Sequence, residues 1–261
     1  MTPTPSKDFP WWLVVVAATG LVLFWEVLSS EVYRAVLGKL AQGIWITVFV
    51  SVVAYVAACA IGLGLALMGL SRSRVLRQVA RLYIEVMRGV PIIVLLLYVA
   101  FVLAPMLVDL WNWVLGLVGL DPVRPRDFGL LWRAVIALTL AYSAFLAEVF
   151  RAGLQSVERG QVEAGMSLGL GRWHCFRLVT FPQAFRTIFP ALGNDFVAMV
   201  KDSSLVSVLG VTDVTQLGKV TAAGNFRYFE TYNVVALIYL TMTIGLSLVL
   251  RRLEVRLRAR G

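Results

Sequence analysis

Six stretches of this chain, at about 11–28, 40–70, 82–104, 130–150, 188–210 and 232–250, are apolar for roughly the length that crosses a bilayer. A bilayer core needs ~20 mainly apolar residues per helix. A single run of that length is also compatible with a buried core helix; six of them leave only a bundle of membrane helices. Composition agrees. The 261 residues are 59% hydrophobic and 15% charged, where a soluble domain carries about 45–50% and about 25%. The predicted fold class is therefore all-α, a polytopic membrane bundle of about six spans. The first run follows a polar start with Lys7 and Asp8. It has no strong basic region before it and no A-x-A site after it, and Glu26 lies where a cleavage site wants a small residue, so it reads as an uncleaved helix.

A net charge of +9 raises the prospect of nucleic acid. The basic residues, however, flank the apolar runs, which is the pattern that orients a chain in a bilayer. Residues 105–120, PMLVDLWNWVLGLVGL, decide the topology: they are apolar but interrupted by Asp109 and Asn112. If they do not span, and the N-terminus is inside, sixteen of the 24 lysines and arginines fall on the inner side, seven on the outer, and Lys201 within the membrane. A seventh span would send the arginines from Arg151 to Arg186 and the basic tail outside. Residues 105–128 are therefore expected as an outer amphipathic segment anchored by Trp111 and Trp113. Both termini, and the polar interval 154–186, then face the cytoplasm.

That interval is too long for a tight turn and carries Gly160, Gly165, Gly169 and Gly171 among arginines. It is a candidate docking surface for something soluble. A short helix over 162–168 presents Glu163, Met166 and Leu170. Gly169 lets the backbone turn sharply, Arg172 opens a second helical stretch, and Pro182 ends or kinks it. An ordinary solvated loop with two amphipathic turns has the same spacing, so the spacing alone leaves both readings open.

From Glu163 the chain reads EAGMSLGLGRWHCFRLVTFP. This resembles the EAA loop of ABC-importer permeases, E-A-A, three residues, G, nine residues, I-x-L-P. Glu163, Ala164 and Gly165 fill the triplet, Gly169 is the glycine, and Val179, Phe181 and Pro182 close the motif. Gly165 replaces an alanine, which should loosen the helix by roughly 1 kcal/mol; Val179 and Phe181 replace isoleucine and leucine. RGVP (88–91), AYSAFLAEVFRAG (141–153), NDFVAMVKDSSLVSVLGV (194–211) and FETYNVVALIYL (229–240) look like permeases of the polar amino acid uptake group.

The resemblance covers most of the chain from about residue 40. It implies a type I ABC importer-like core over 37–261, with 1–36 as an added first helix and 105–128 as a second addition, in the cytoplasmic (inner) membrane of a prokaryote. It implies that Glu163, Ala164, Gly165, Met166, Gly169 and Pro182 dock into an ATPase subunit. Further implied partners are two such ATPase subunits binding ATP and Mg, a second permease chain (identical or sister), an extracytoplasmic amino-acid-binding protein, and lipid. No nucleic acid partner is expected. No cofactor is expected in this chain, which has no G-x-x-x-x-G-K-[ST] of its own.

The run 188–210 carries Asn194, Asp195, Lys201, Asp202, Ser203 and Ser204. Ionisable groups at membrane depth are costly and usually face an interior or a watery path. Asp195 and Asp202 share one helix face, Asn194 and Lys201 the neighbouring one. Either the stripe lines the translocation path, or Lys201 and Asp202 pair with neighbours while Asp202 or Ser203 caps half of a broken helix. Glu148 and Arg151 form a candidate i,i+3 ion pair, and Arg81, Glu85 and Arg88 a similar ladder. Pro91 predicts a kink. Tyr55, Tyr98 and Tyr142 serve aromatic packing, with contact to substrate open. His174 reads as a surface residue of the loop. Cys59 and Cys175, in segments of different character, predict neither a bridge nor a zinc site. Catalysis and metal binding find no residue cluster to support them. Two other transport readings remain: an ion-coupled secondary transporter using Asp195, Lys201 and Asp202, though no repeat symmetry is visible, and an ABC permease for another small polar solute. A membrane enzyme using Glu148 and Asp202 is disfavoured by their different depths.

Overall fold

The computed structural model describes residues 11–258, and among them it is helical with no strand. Lys7, Asp8 and Arg260 lie outside the described residues. Helices α1 (Trp11–Ser29), α2 (Glu31–Leu40) and α3 (Gln42–Gly69) open the chain, followed by α4 (Arg74–Gly89), α5 (Ile92–Tyr98) and α6 (Ala104–Val118). Helix α7 (Leu130–Gln155) leads into α8 (Arg159–Ser167) and α9 (Arg172–Cys175). The chain ends with α10 (Phe181–Asp202), α11 (Val214–Asn225) and α12 (Tyr228–Arg258). Among the described residues, four stretches combine the length and hydropathy needed to cross a membrane: Glu31–Gly69, Ile92–Val118, Leu130–Gln155 and Tyr228–Leu257. The other two expected spans are helical as well. α1 has 19 residues, and α10 runs on as a 3-10 turn over Ser203–Leu209 before Gly210 stops it at φ 83°.

α3 and α7 form the centre. Val50, Ala54 and Ala58 face Ala134, Ala137, Leu138 and Ala141, all nearly or fully buried. Between apolar helices in an apolar solvent, small residues gain van der Waals contact by letting backbones approach. A second cluster joins Val27, Tyr33, Val36 and Leu40 to Val214, Val234 and Ile238. Its polar fastening is Asp213, fully buried, which caps α11 by accepting from Gln216 N at 2.8 Å and accepts the Tyr239 hydroxyl at 3.1 Å.

The third span sits further along the chain than the apolar run suggests. Pro91 does not kink a helix; it separates two. Val90 before it is extended (φ −97°, ψ 130°), as a residue preceding proline prefers, so 82–89 belong to the amphipathic α4. The span then runs unbroken from Ile92 to Val118, taking in most of the segment expected to lie apart from residue 105 onward. Two features reconcile the helix with Pro105 and Asn112. Asn112 spends its amide on the following loop, donating to Val123 O and accepting from Val123 N, both at 2.8 Å. Pro105 follows a π turn over Val99–Leu103, in which Ala104 N donates to Val99 O.

That turn leaves one carbonyl without a helical partner. Ala104 N is taken, and the next donor in the π pattern belongs to Pro105, which has no N–H. Arg133 fills the gap. Its side chain, 7% exposed, donates through Nη1 to Ala100 O at 2.6 Å, through Nε to Phe128 O at 2.8 Å, and to Pro125 O. A buried acceptor left unsatisfied costs about 1–3 kcal/mol. Arg133→Met keeps the aliphatic stem and removes all three donors, so the thermal unfolding midpoint in detergent should fall by that equivalent. Arg133→Lys should lie between the two, and an unchanged midpoint in Arg133→Met would remove the bracing role.

Candidate functional site

The polar interval folds as a helix-turn-helix. α8 begins three residues before the predicted helix and ends at Ser167. Gly169 takes φ +82°, with Leu170 N donating to Gly165 O at 3.2 Å and Gly169 N to Met166 O at 3.0 Å. These two bonds close the helix in the Schellman manner and require a left-handed residue between them, which glycine provides without strain. Arg172 opens α9, at the position expected.

The turn sorts the loop's side chains. Glu163, Ala164 and Met166 are exposed, and Leu168 is 85% exposed. The Glu163 carboxylate makes no hydrogen bond or ion pair among the described residues. Leu170 does not join this surface. It is half-buried against Gly165, so Leu168 takes the outward place expected of Leu170. Gly165 is buried, and a Cβ there would stand 3.2 Å from Cys175 Sγ and 3.4 Å from a Val179 methyl. Glycine instead of alanine therefore lets α8 lie close on the second helix, which offsets part of its lower helix propensity. The Cys175 thiol is directed to Val162 O at 3.5 Å, and His174 is exposed.

Pro182 does not end the second helix. A π turn over Phe176–Thr180, in which Phe181 N donates to Phe176 O, precedes it, and α10 continues through the proline. The device is the one that absorbs Pro105. Here the displaced carbonyl belongs to exposed Arg177, where water can satisfy it.

α10 carries the polar stripe, and burial separates its two faces as the spacing predicts. Asn194 and Lys201 are exposed; Asp195 and Asp202 are half-buried. The Tyr142 hydroxyl on α7 donates to Asp202 Oδ2 at 2.7 Å. The Tyr55 hydroxyl on α3 donates to Leu192 O at 2.5 Å, and its ring lies 4.9 Å from that of Phe196. Thus Asp202 has the neighbour that the structural reading requires, but neither it nor Ser203 caps the 3-10 turn; Ser203 Oγ donates back to Val200 O. Lys201 has no hydrogen-bonding or ionic partner among the described residues. Ser203 is fully buried and Ser204 half-buried.

Glu148 and Arg151 do pair, at 2.5 Å, and Arg151 extends to Gln155 Oε1 at 2.8 Å. Among the described residues the Arg81, Glu85 and Arg88 ladder forms no ion pair; the Arg88 guanidinium instead lies 5.6 Å from the Phe145 ring centre. Tyr98 is exposed. Sequence reasoning missed Leu168, Asp213 and the aromatic residues after Trp173. The signals were present in the apolar residue just before Gly169, the aspartate three residues ahead of Gln216, and aromatics recurring at 173, 176, 181, 185 and 189.

Residues 58–260 match the family of binding-protein-dependent transport system inner membrane components. The chain belongs to that family, and is a permease of the ABC-importer class: a multi-pass transport subunit whose ATP hydrolysis resides in a separate protein. Within the class, the relatives it resembles are amino acid permeases. It is 39% identical over 209 residues to the probable amino-acid permease protein YxeN of Bacillus subtilis, covering 80% of this chain and 87% of that one. It is 36% identical over 222 residues to the glutamine transport system permease protein GlnP of Escherichia coli, covering 84% and 93%. A solved amino acid ABC transporter with histidines superposes with a TM-score of 0.69 at 35% identity, covering 84% of this chain and 94% of that one.

Proposed function

We propose that this permease carries polar or charged L-amino acids into the cell, as half of a pore completed by a second permease chain, identical or sister. Two ATPase subunits, binding ATP and Mg, drive it from the cytoplasmic side, and an extracytoplasmic binding protein delivers the cargo. In this reading 154–186 and both termini are cytoplasmic. Glu163, Ala164, Gly165, Met166, Gly169 and Pro182 belong to the docking knob, and Asn194, Asp195, Lys201, Asp202, Ser203 and Ser204 to the translocation path. The observation that carries the reading is the α8 knob: an unpartnered carboxylate at Glu163 beside exposed Met166 and Leu168, held by a rigid turn. Such a surface is built for a partner. The amino acid class rests on relatives, one named for glutamine and one solved with histidines.

For the knob to do work, its fit to the ATPase must differ between the inward-open and outward-open states, because only differential affinity shifts a conformational equilibrium. The test is uptake into proteoliposomes holding the chain, its cognate ATPase and its binding protein. Glutamine and histidine should accumulate only when ATP is enclosed on the ATPase side. Uptake that persists without any ATPase subunit would instead favour an ion-coupled transporter, and uptake of other solutes alone would move the cargo class.

A further inference from the structure

From the docking loop a column of aromatic rings runs along the chain to the start of the apolar run 188–210. Trp173 and Phe176 have ring centres 5.8 Å apart, Phe176 and Phe181 5.8 Å, Phe181 and Phe185 6.0 Å, and Phe185 and Phe189 5.8 Å. The sequence intervals are three, five, four and four. In an α-helix a five-residue step would place Phe181 about 140° around the axis from Phe176. The π turn over Phe176–Thr180 lies in that interval, and its wider winding keeps both rings on one face. The column therefore depends on the π turn for its continuity.

The rings also stand beside the turns where the helix backbone is weakest. Pro182 follows the π turn, and Pro190 lies inside α10; each removes a backbone hydrogen bond. The Phe176–Phe181 contact brackets the first weak turn, and Phe185–Phe189 the second. Close-packed side chains have low compressibility and transmit displacement. At its lower end Trp173 is 66% exposed in the docking loop. At its upper end Phe189 lines a cavity of about 240 Å³ together with Asn194, Ser247 and Arg251.

We propose that the column from Trp173 to Phe189 is the strut that carries displacement of the docking loop to the part of α10 bearing Asn194 and Lys201. This rests on the docking reading above. Phe176, Phe181 and Phe185 are positioning residues in it: they touch neither cargo nor ATP, and their work is to keep the two ends of the helix moving as one body.

The test uses the complete complex in proteoliposomes, with radiolabelled glutamine as probe, or histidine if glutamine is not carried. Phe181→Leu and Phe185→Leu keep an apolar side chain and remove a ring. Three quantities are read: capture of the ATPase, ATP hydrolysis, and amino acid moved per ATP. Capture and hydrolysis should stay near wild type while transport per ATP falls about tenfold. Phe185→Tyr, which keeps the ring, should retain the ratio. Adding Pro190→Ala to Phe185→Leu should restore most of it, because the recovered backbone hydrogen bond stiffens the same turn. An unchanged ratio in both leucine variants overturns the strut, and so does a loss that Pro190→Ala leaves in place. Should Phe181→Leu fail to insert, Phe185→Leu carries the test. Failure of the docking reading itself shows earlier and differently, as a wild-type chain that captures no ATPase.

Discussion

Glu163→Lys should abolish stimulation of the ATPase subunit while the chain still inserts and folds. Glu163 lies in the middle of α8, exposed and with no partner among the described residues. Its removal therefore breaks no hydrogen bond or ion pair among the described residues. Lysine and glutamate have nearly equal helix propensity, and α8 is closed by Gly169 and Leu170 rather than by Glu163, so the knob should keep its shape. What changes is the charge presented outward. Truncating one partner of a buried interfacial charge pair costs about 2–5 kcal/mol, roughly thirty-fold or more in affinity, and reversal adds repulsion. Glu163→Gln should therefore be the milder variant. The measurement is ATP hydrolysis by the reconstituted complex with and without loaded binding protein, beside unfolding of the isolated chain. Normal stimulation in Glu163→Lys, with the complex intact, would remove Glu163 from the interface.

The features that were legible in the sequence are those set by local chemistry. Length and hydropathy locate α3, α7 and α12, because a bilayer admits little else. Gly169 and Arg172 mark the turn and the second helix of the loop, because a left-handed closure needs glycine and a new helix needs a fresh start. The features that were not legible depend on a distant partner. Nothing near Pro105 says that Arg133, 28 positions on, will satisfy the carbonyl of Ala100. Without that donor the proline reads as a boundary, and the third span ends too early. Pro182 misleads in the same way, since a π turn can absorb a proline that an α-helix cannot. Leu170 and Leu168 exchange places because a Schellman closure folds the residue after the glycine back onto the helix, a detail that periodicity alone does not carry.

Period seven along α10 was enough to put Asp195 and Asp202 on one face and Asn194 and Lys201 on the next. It could not say which face meets the rest of the chain. The tyrosines answer that. Tyr142 on α7 holds Asp202, and Tyr55 on α3 packs on Phe196, the residue after Asp195, so the half-buried face of α10 is turned toward α3 and α7. The amide and the amine are more exposed: Asn194 opens onto the cavity it shares with Ser247 and Arg251 of α12, and Lys201 has no polar partner among the described residues. Within the proposed path the two pairs therefore differ: Asp202 is tied to the bundle through Tyr142, with Asp195 on the same half-buried face, while Asn194 and Lys201 are more exposed.

Lys201→Leu separates these surroundings through opposite effects. Lys201 is exposed, unpaired among the described residues, and near the middle of the run 188–210. A lysine at the centre of a membrane helix costs about 2.5–3.5 kcal/mol against lipid on insertion scales, and leucine has a similar helix propensity. If the side chain met lipid, Lys201→Leu would stabilise the chain by that much and leave transport unaltered. On a watery path the gain vanishes, because the amine is already solvated. The expected result is stability within about 0.5 kcal/mol of wild type, together with at least a tenfold loss of transport for cargo whose carboxylate the amine would meet. Lys201→Arg should recover part of the transport, since charge and reach survive. The control is Asp202→Asn on the adjoining face, which keeps a partner for the Tyr142 hydroxyl and loses the charge. A strong stabilisation of Lys201→Leu with transport intact would place this face against lipid and take Asn194 out of the path with it.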